Sequence, residues 1–155
     1  MIFATVGTQL PFPRLAGYLQ AISRSSDEEI VFQSADPHWS SEAIKVCAFM
    51  PPEAFDAAFR QARVIIGHAG IGTVLTARRL RRPLIIVPRS FALGEHRNDH
   101  QMATATQLAS ASDIAIATDA GSLRAALAHP PEPMGDQSPP ERQRLIASVA
   151  GFIAA

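Results

Sequence analysis

Sulfur chemistry is nearly absent from this sequence: it holds a single cysteine, Cys47. No intrachain disulfide can form, and no cysteine-based zinc cluster is available. Lysine is as scarce, with Lys45 alone. A nucleotide-binding Walker loop needs Gly-Lys-Ser/Thr, and the chain has none. It also has no Gly-x-Gly-x-x-Gly fingerprint, which argues against a dinucleotide site, and no Gly-x-Ser-x-Gly elbow to carry a hydrolase nucleophile. No run approaches the roughly 18 apolar residues of a membrane span. The apolar start, Met1 to Val6, has no basic stretch before it, so no signal peptide is expected. Net charge is +0 and the pI is about 7.0, which removes the usual electrostatic case for nucleic-acid binding.

What is present suits one folded domain. The chain has 155 residues, 47% hydrophobic and 18% charged, too apolar and too neutral for intrinsic disorder. Short apolar runs at 1–6, 29–34, 44–49, 63–67, 83–88 and 112–117 read as strands covered on both faces. Amphipathic stretches lie between them. Leu15, Tyr18, Leu19 and Ile22 share a helix face, and Phe55, Phe59 and Ala62 another, the latter opened by Pro51 and Pro52. Helices also fit 71–81, 98–110 and 120–128. Residues 36–41 read as a loop. The alternation predicts an α/β fold, a doubly wound parallel sheet with right-handed crossovers. A proline-rich stretch, 129–140, reads as a linker after a domain at 1–128. Beyond it, 141–155 reads as an amphipathic helix with Leu145, Ile146, Val149, Phe152 and Ile153 on one stripe. That helix would fold back on the sheet or dock on a partner chain.

Ligands of such sheets sit at the carboxyl ends of the strands, so the turns there hold the candidate site. The first is Val6-Gly7-Thr8-Gln9. The second, Gly67-His68-Ala69-Gly70-Ile71-Gly72-Thr73, follows a strand and opens a helix. Small residues there admit a close ligand, and free amides at a helix start favour an anion such as phosphate or diphosphate. His68 also suits a packed loop position. Arg78, Arg79, Arg81 and Arg82 lie near the end of that helix, where they either complement the dipole and stay solvated or form a patch for nucleic acid or acidic lipid. The third turn, from Arg89 through Gly94-Glu95-His96-Arg97-Asn98-Asp99-His100-Gln101, is dense in groups that bond sugar hydroxyls. His96 and His100 are four apart, but nothing completes a metal site with them, and no metal is expected.

Taken together, Met1–Gln9, the 67–73 turn, Pro83–Arg89 and the 94–101 block resemble the glycosyltransferase family 28 C-terminal domain over about residues 1–128. The chain is most similar to stand-alone versions: bacterial exopolysaccharide subunits of the PssE type and the small subunit of the dolichol-linked UDP-GlcNAc transferase. The resemblance implies a Rossmann-like lobe, of the C-terminal type, of a GT-B hexosyltransferase. It implies a UDP-sugar as substrate and no further cofactor. Gly70, Gly72 and Thr73 would meet the diphosphate with His68 nearby, and His100 and Gln101 would meet the donor sugar, beside Glu95 and His96. Gly7, Thr8 and Gln9 would face the cleft between lobes. Many members place a Glu on the ribose hydroxyls, and here that position is Thr76.

One lobe is half of such an enzyme. The resemblance therefore implies a membrane-anchored, acceptor-binding subunit that supplies the other lobe and the catalytic base. The acceptor would be a lipid-linked saccharide, and the chain would work in the cytoplasm at the inner face of the membrane. A homodimer could also supply two lobes. The alternatives are a non-catalytic nucleotide-sugar binding module and an NAD- or nucleotide-binding α/β protein.

Overall fold

The computed structural model describes residues 1–95 and 113–133. The helix expected at 98–110 and the segment from 134 onward lie outside the described residues. Six parallel strands form one sheet: β1 (Ile2–Thr5), β2 (Ile30–Gln33), β3 (Lys45–Cys47), β4 (Val64–Gly67), β5 (Leu84–Ile86) and β6 (Ile114–Ile116). Their order is β3-β2-β1-β4-β5-β6. The chain builds outward from β1 in one direction, then returns and builds outward in the other. The order therefore reverses between β1 and β4, where the connections part and leave a crevice.

Four helices are described: α1 (Pro13–Ser23), α2 (Pro52–Gln61), α3 (Ile71–Arg79) and α4 (Ala120–Ala128). Proline opens α1 and α2, where its missing N–H costs nothing. Asp119 caps α4, accepting the Ser122 amide at 2.7 Å, while the Ser122 hydroxyl accepts the Asp119 amide. The helices divide between the two faces. Leu15, Leu19 and Ile22 of α1 and Leu123 and Leu127 of α4 pack with Ile2, Ala4, Ile66 and Ile85. On the other face Phe59 of α2 and Val74 and Ala77 of α3 pack with Phe3, Ile65, Leu84 and Ile86. Successive residues of one strand thus enter opposite cores, as a period of two requires. This is why the strands read as unbroken apolar runs.

Residues 34–44 hold no regular element, as expected of the loop, but they are anchored. Trp39 meets Phe32 edge-on at 5.3 Å, and Ile44 is buried. Among the described residues no helix is long and apolar enough to cross a membrane.

Candidate functional site

Both chain segments at the reversal point turn on glycine. Gly7 leaves β1 with φ +76°, a left-handed conformation that favours glycine. A Cβ there would stand 3.0 Å from Cε1 of His68, which follows β4. A Cβ on Gly70 would overlap the same ring, with Cε1 at 2.7 Å. The imidazole therefore sits against both turns and fills the gap between them. Gly72 differs: nothing lies within 4 Å of its would-be Cβ.

Helix α3 starts at this point without a side-chain cap and without an acid in its first turn. The Gly70 carbonyl accepts from Thr73 and Val74. The amides of Ile71 and Gly72 have no partner within the helix, as at any helix start, and the positive end of the dipole lies there. Thr73 is buried, and the Thr76 hydroxyl donates to the Gly72 carbonyl at 2.9 Å. Thr76, the position at which the resemblance implies a carboxylate in other members, thus carries a short side chain already bonded to its own helix.

A cleft of about 610 Å³ opens over these turns. That volume lies in the range of small-molecule sites. Gly7, Thr8, Gln9, His68, Gly70, Gly72, Thr73 and Thr76 all line it. Of the twelve expected site residues, the structure brings these eight together. His96, His100 and Gln101 lie outside the described residues. Glu95 is set apart. It borders a neighbouring hollow with Arg14 and Leu93. Its carboxylate takes Arg14 at 2.7 and 2.8 Å and the Ser90 amide at 2.9 Å. Burial pushes the Glu95 carboxyl up, but the bonds from Arg14 and Ser90 outweigh it, and the net pKa lies below the ordinary value. The hydrogen bond to Glu95, opposed by burial and helped by the one to Tyr18, raises the pKa of Arg14. Arg14 also donates to the carbonyls of Pro88 and Thr118, so it ties α1 to the chain after β5 and after β6.

Of the other polar residues of the cleft, only Arg89 is singled out in the sequence, at the start of the third turn. Thr5 and Gln33 form its floor, and Met50, Pro52 and Phe55 give it an apolar wall. Arg89 is 3% exposed and donates to the carbonyls of Leu10 and Pro11 at 2.6 and 2.7 Å, with its guanidinium 4.5 Å from the Phe12 ring centre. Burial lowers its pKa. A polar residue closing an apolar strand, as Thr5 and Gln33 do, was the available sign for the floor. Among the described residues of the cleft there is no carboxylate, one arginine and one histidine. The arrangement suits an anion held at the start of α3.

The strand order and the cleft at its reversal define a Rossmann-like α/β lobe. Residues 14–128 match the glycosyltransferase family 28 C-terminal domain, and the chain belongs to that family. Among solved structures it is similar to ALG13, with 18% identity and a TM-score of 0.62 over 93% of each chain. It is also similar to MurG of Acinetobacter baumannii, at 22% identity and TM-score 0.61, and to the glycotransferase of kitacinnamycin, at 20% and 0.61. These two alignments take in 81% and 82% of this chain but only 40% and 33% of those proteins. The chain thus has the fold of one lobe of a GT-B glycosyltransferase. No curated protein sequence matches it.

Proposed function

We propose that the chain is the donor-binding subunit of a two-chain glycosyltransferase that moves a hexose from a UDP-sugar to a lipid-linked saccharide. Six large apolar side chains are exposed among the described residues: Leu10, Phe49, Ile71, Leu75, Phe91 and Leu93. All six lie on segments that leave the carboxyl ends of β1, β3, β4 and β5. This one-sided placement is the observation that carries the reading, because it puts the kind of surface that marks an interface on the same sheet edge as the acid-free cleft, which Leu10 also lines. A second lobe closing on that rim would exclude water from the donor and bring the acceptor to it.

In this reading the diphosphate rests on the amides at the start of α3, and Gly72 and Thr73 border it. His68 holds the two glycine turns in place. Thr8 and Gln9, exposed on the edge, face the second lobe. Glu95 serves the lobe's architecture instead of the ligand. The catalytic base and the acceptor site belong to a membrane-anchored partner, which recruits this chain to the cytoplasmic face of a membrane, in exopolysaccharide assembly. The absence of a carboxylate among the described cleft residues also favours a second reading, a nucleotide-sugar binding module that does no chemistry.

Calorimetric titration with UDP-glucose, UDP-glucuronate, UDP-N-acetylglucosamine and NAD tests the donor assignment. Saturable binding of at least one UDP-sugar, with none of NAD, is the expected result. Binding of NAD with no response to any UDP-sugar would overturn it.

A further inference from the structure

Thr5 ends β1 and Gln33 ends β2, and the parallel register sets them side by side. Both are buried, at 1% and 2% exposure, yet both line the cleft. The Thr5 hydroxyl donates to Oε1 of Gln33 at 2.8 Å. The Gly7 amide donates in turn to the Thr5 oxygen at 3.2 Å. This relay has one direction. A backbone amide can only donate, so the Thr5 oxygen accepts that bond and passes its own proton to the Gln33 carbonyl. The other end of the carboxamide, the NH₂, is thereby turned from Thr5, and it donates to no described residue. Gln33 Nε2 is not among the buried side-chain atoms that lack a partner, so it keeps a little accessible surface, and the space that Gln33 lines is the cleft.

We propose that Gln33 is a specificity-determining contact that donates from Nε2 to an oxygen of the bound ligand, and that Thr5 is a positioning residue that holds the amide in that orientation. The proposal rests on the nucleotide-sugar reading. It adds which part of the ligand is met. The start of α3 follows β4, two strands from β2 in the sheet. Strands lie about 4.8 Å apart, so Gln33 stands roughly 10 Å from a phosphate bound there. The oxygen that it meets is therefore a neutral one, a carbonyl or hydroxyl of the nucleoside. Met50 and Phe55 line the same cleft and bring no charge to it.

The test uses UDP as the probe, with calorimetry and ¹⁵N NMR. The Gln33 side-chain NH₂ signals, assigned by their loss in Gln33→Met, should shift in the parent chain when UDP is added. Gln33→Met should weaken UDP binding about three- to tenfold, the range for one hydrogen bond. Thr5→Val should weaken it less, and Thr5→Ser, which keeps the relay, should restore it. If Gln33→Met does not fold, Gln33→Glu keeps the acceptor for Thr5 and loses the donor, and the same weakening is expected. A parent that binds UDP with the Gln33 signals unmoved, or a folded Gln33 variant that binds UDP as tightly as the parent, overturns this proposal alone. A parent that binds neither UDP nor any UDP-sugar overturns the functional reading with it.

Discussion

Gly70 and Gly72 stand two residues apart in one turn and are small for different reasons. Gly70 makes way for the His68 ring, whereas the space beside Gly72 is open. We expect Gly70→Ala to displace His68 and lower the melting temperature. Gly72→Val should fold at a cost below about 1 kcal/mol, the scale of helix propensity, while its side chain intrudes where the diphosphate is placed. Its UDP affinity should fall at least about tenfold, a change of roughly 1.4 kcal/mol. Thermal unfolding and calorimetry on the two variants separate these effects. A Gly70→Ala chain as stable as the parent would refute the packing, and undiminished UDP binding by Gly72→Val would refute the phosphate position. The sequence reads both glycines as room for a ligand. Spacing shows that a turn is tight, but it does not show what fills the gap, because the placement of the His68 ring depends on β1 and β4 meeting. Gln33 and Thr5 went unread for a similar reason. Each is an ordinary polar strand end until the register pairs them.

The strands were legible as elements because both faces of the sheet are covered. Their ends were less so: the run 83–88 yields only Leu84–Ile86, since the sheet partners β4 and β6 are themselves three or four residues long. The segment after β5 reads as a ligand-binding turn, yet its Glu95 is paired with Arg14 of α1, 81 residues away. No local pattern encodes a pair of that separation. The pairing has a pH signature. The Glu95 carboxyl is lowered in the folded chain, so its contribution is complete above the ordinary carboxylate pKa and is lost as pH falls through the lower folded value. Glu95→Gln should cost about 1–2 kcal/mol near neutrality, the scale of a partly exposed charged hydrogen bond. The difference in stability between parent and variant should shrink as pH drops below about 4.5. Unfolding in urea at several pH values measures it. A difference that stays constant down to pH 3 would mean that the ion pair contributes nothing.

For the whole molecule, the alternation of runs fixes the α/β class, but the order β3-β2-β1-β4-β5-β6 emerges only from packing. That order places the cleft between β1 and β4. The exposed apolar rim has no sequence signal either, since Ile71 and Leu75 occupy helical positions that a core would also accept. A lobe with an open acceptor side holds a donor but leaves the attacking oxygen unplaced, and transfer needs the two atoms within about 3–3.5 Å. We therefore expect the purified chain alone to transfer no sugar from a UDP-sugar to a polyprenyl-diphosphate-linked saccharide. Turnover by the lone chain in a radiolabel transfer assay would contradict the two-chain account. The claim on which the rest depends is that a nucleoside diphosphate enters the cleft at the strand-order reversal. The most direct measurement is a UDP titration of the ¹⁵N-labelled chain followed by ¹H–¹⁵N correlation NMR. Saturable shifts concentrated at Gly7, at residues 70–73 and at Gln33 are expected. Shifts concentrated instead around Arg78–Arg82, or none at saturating UDP, would contradict it.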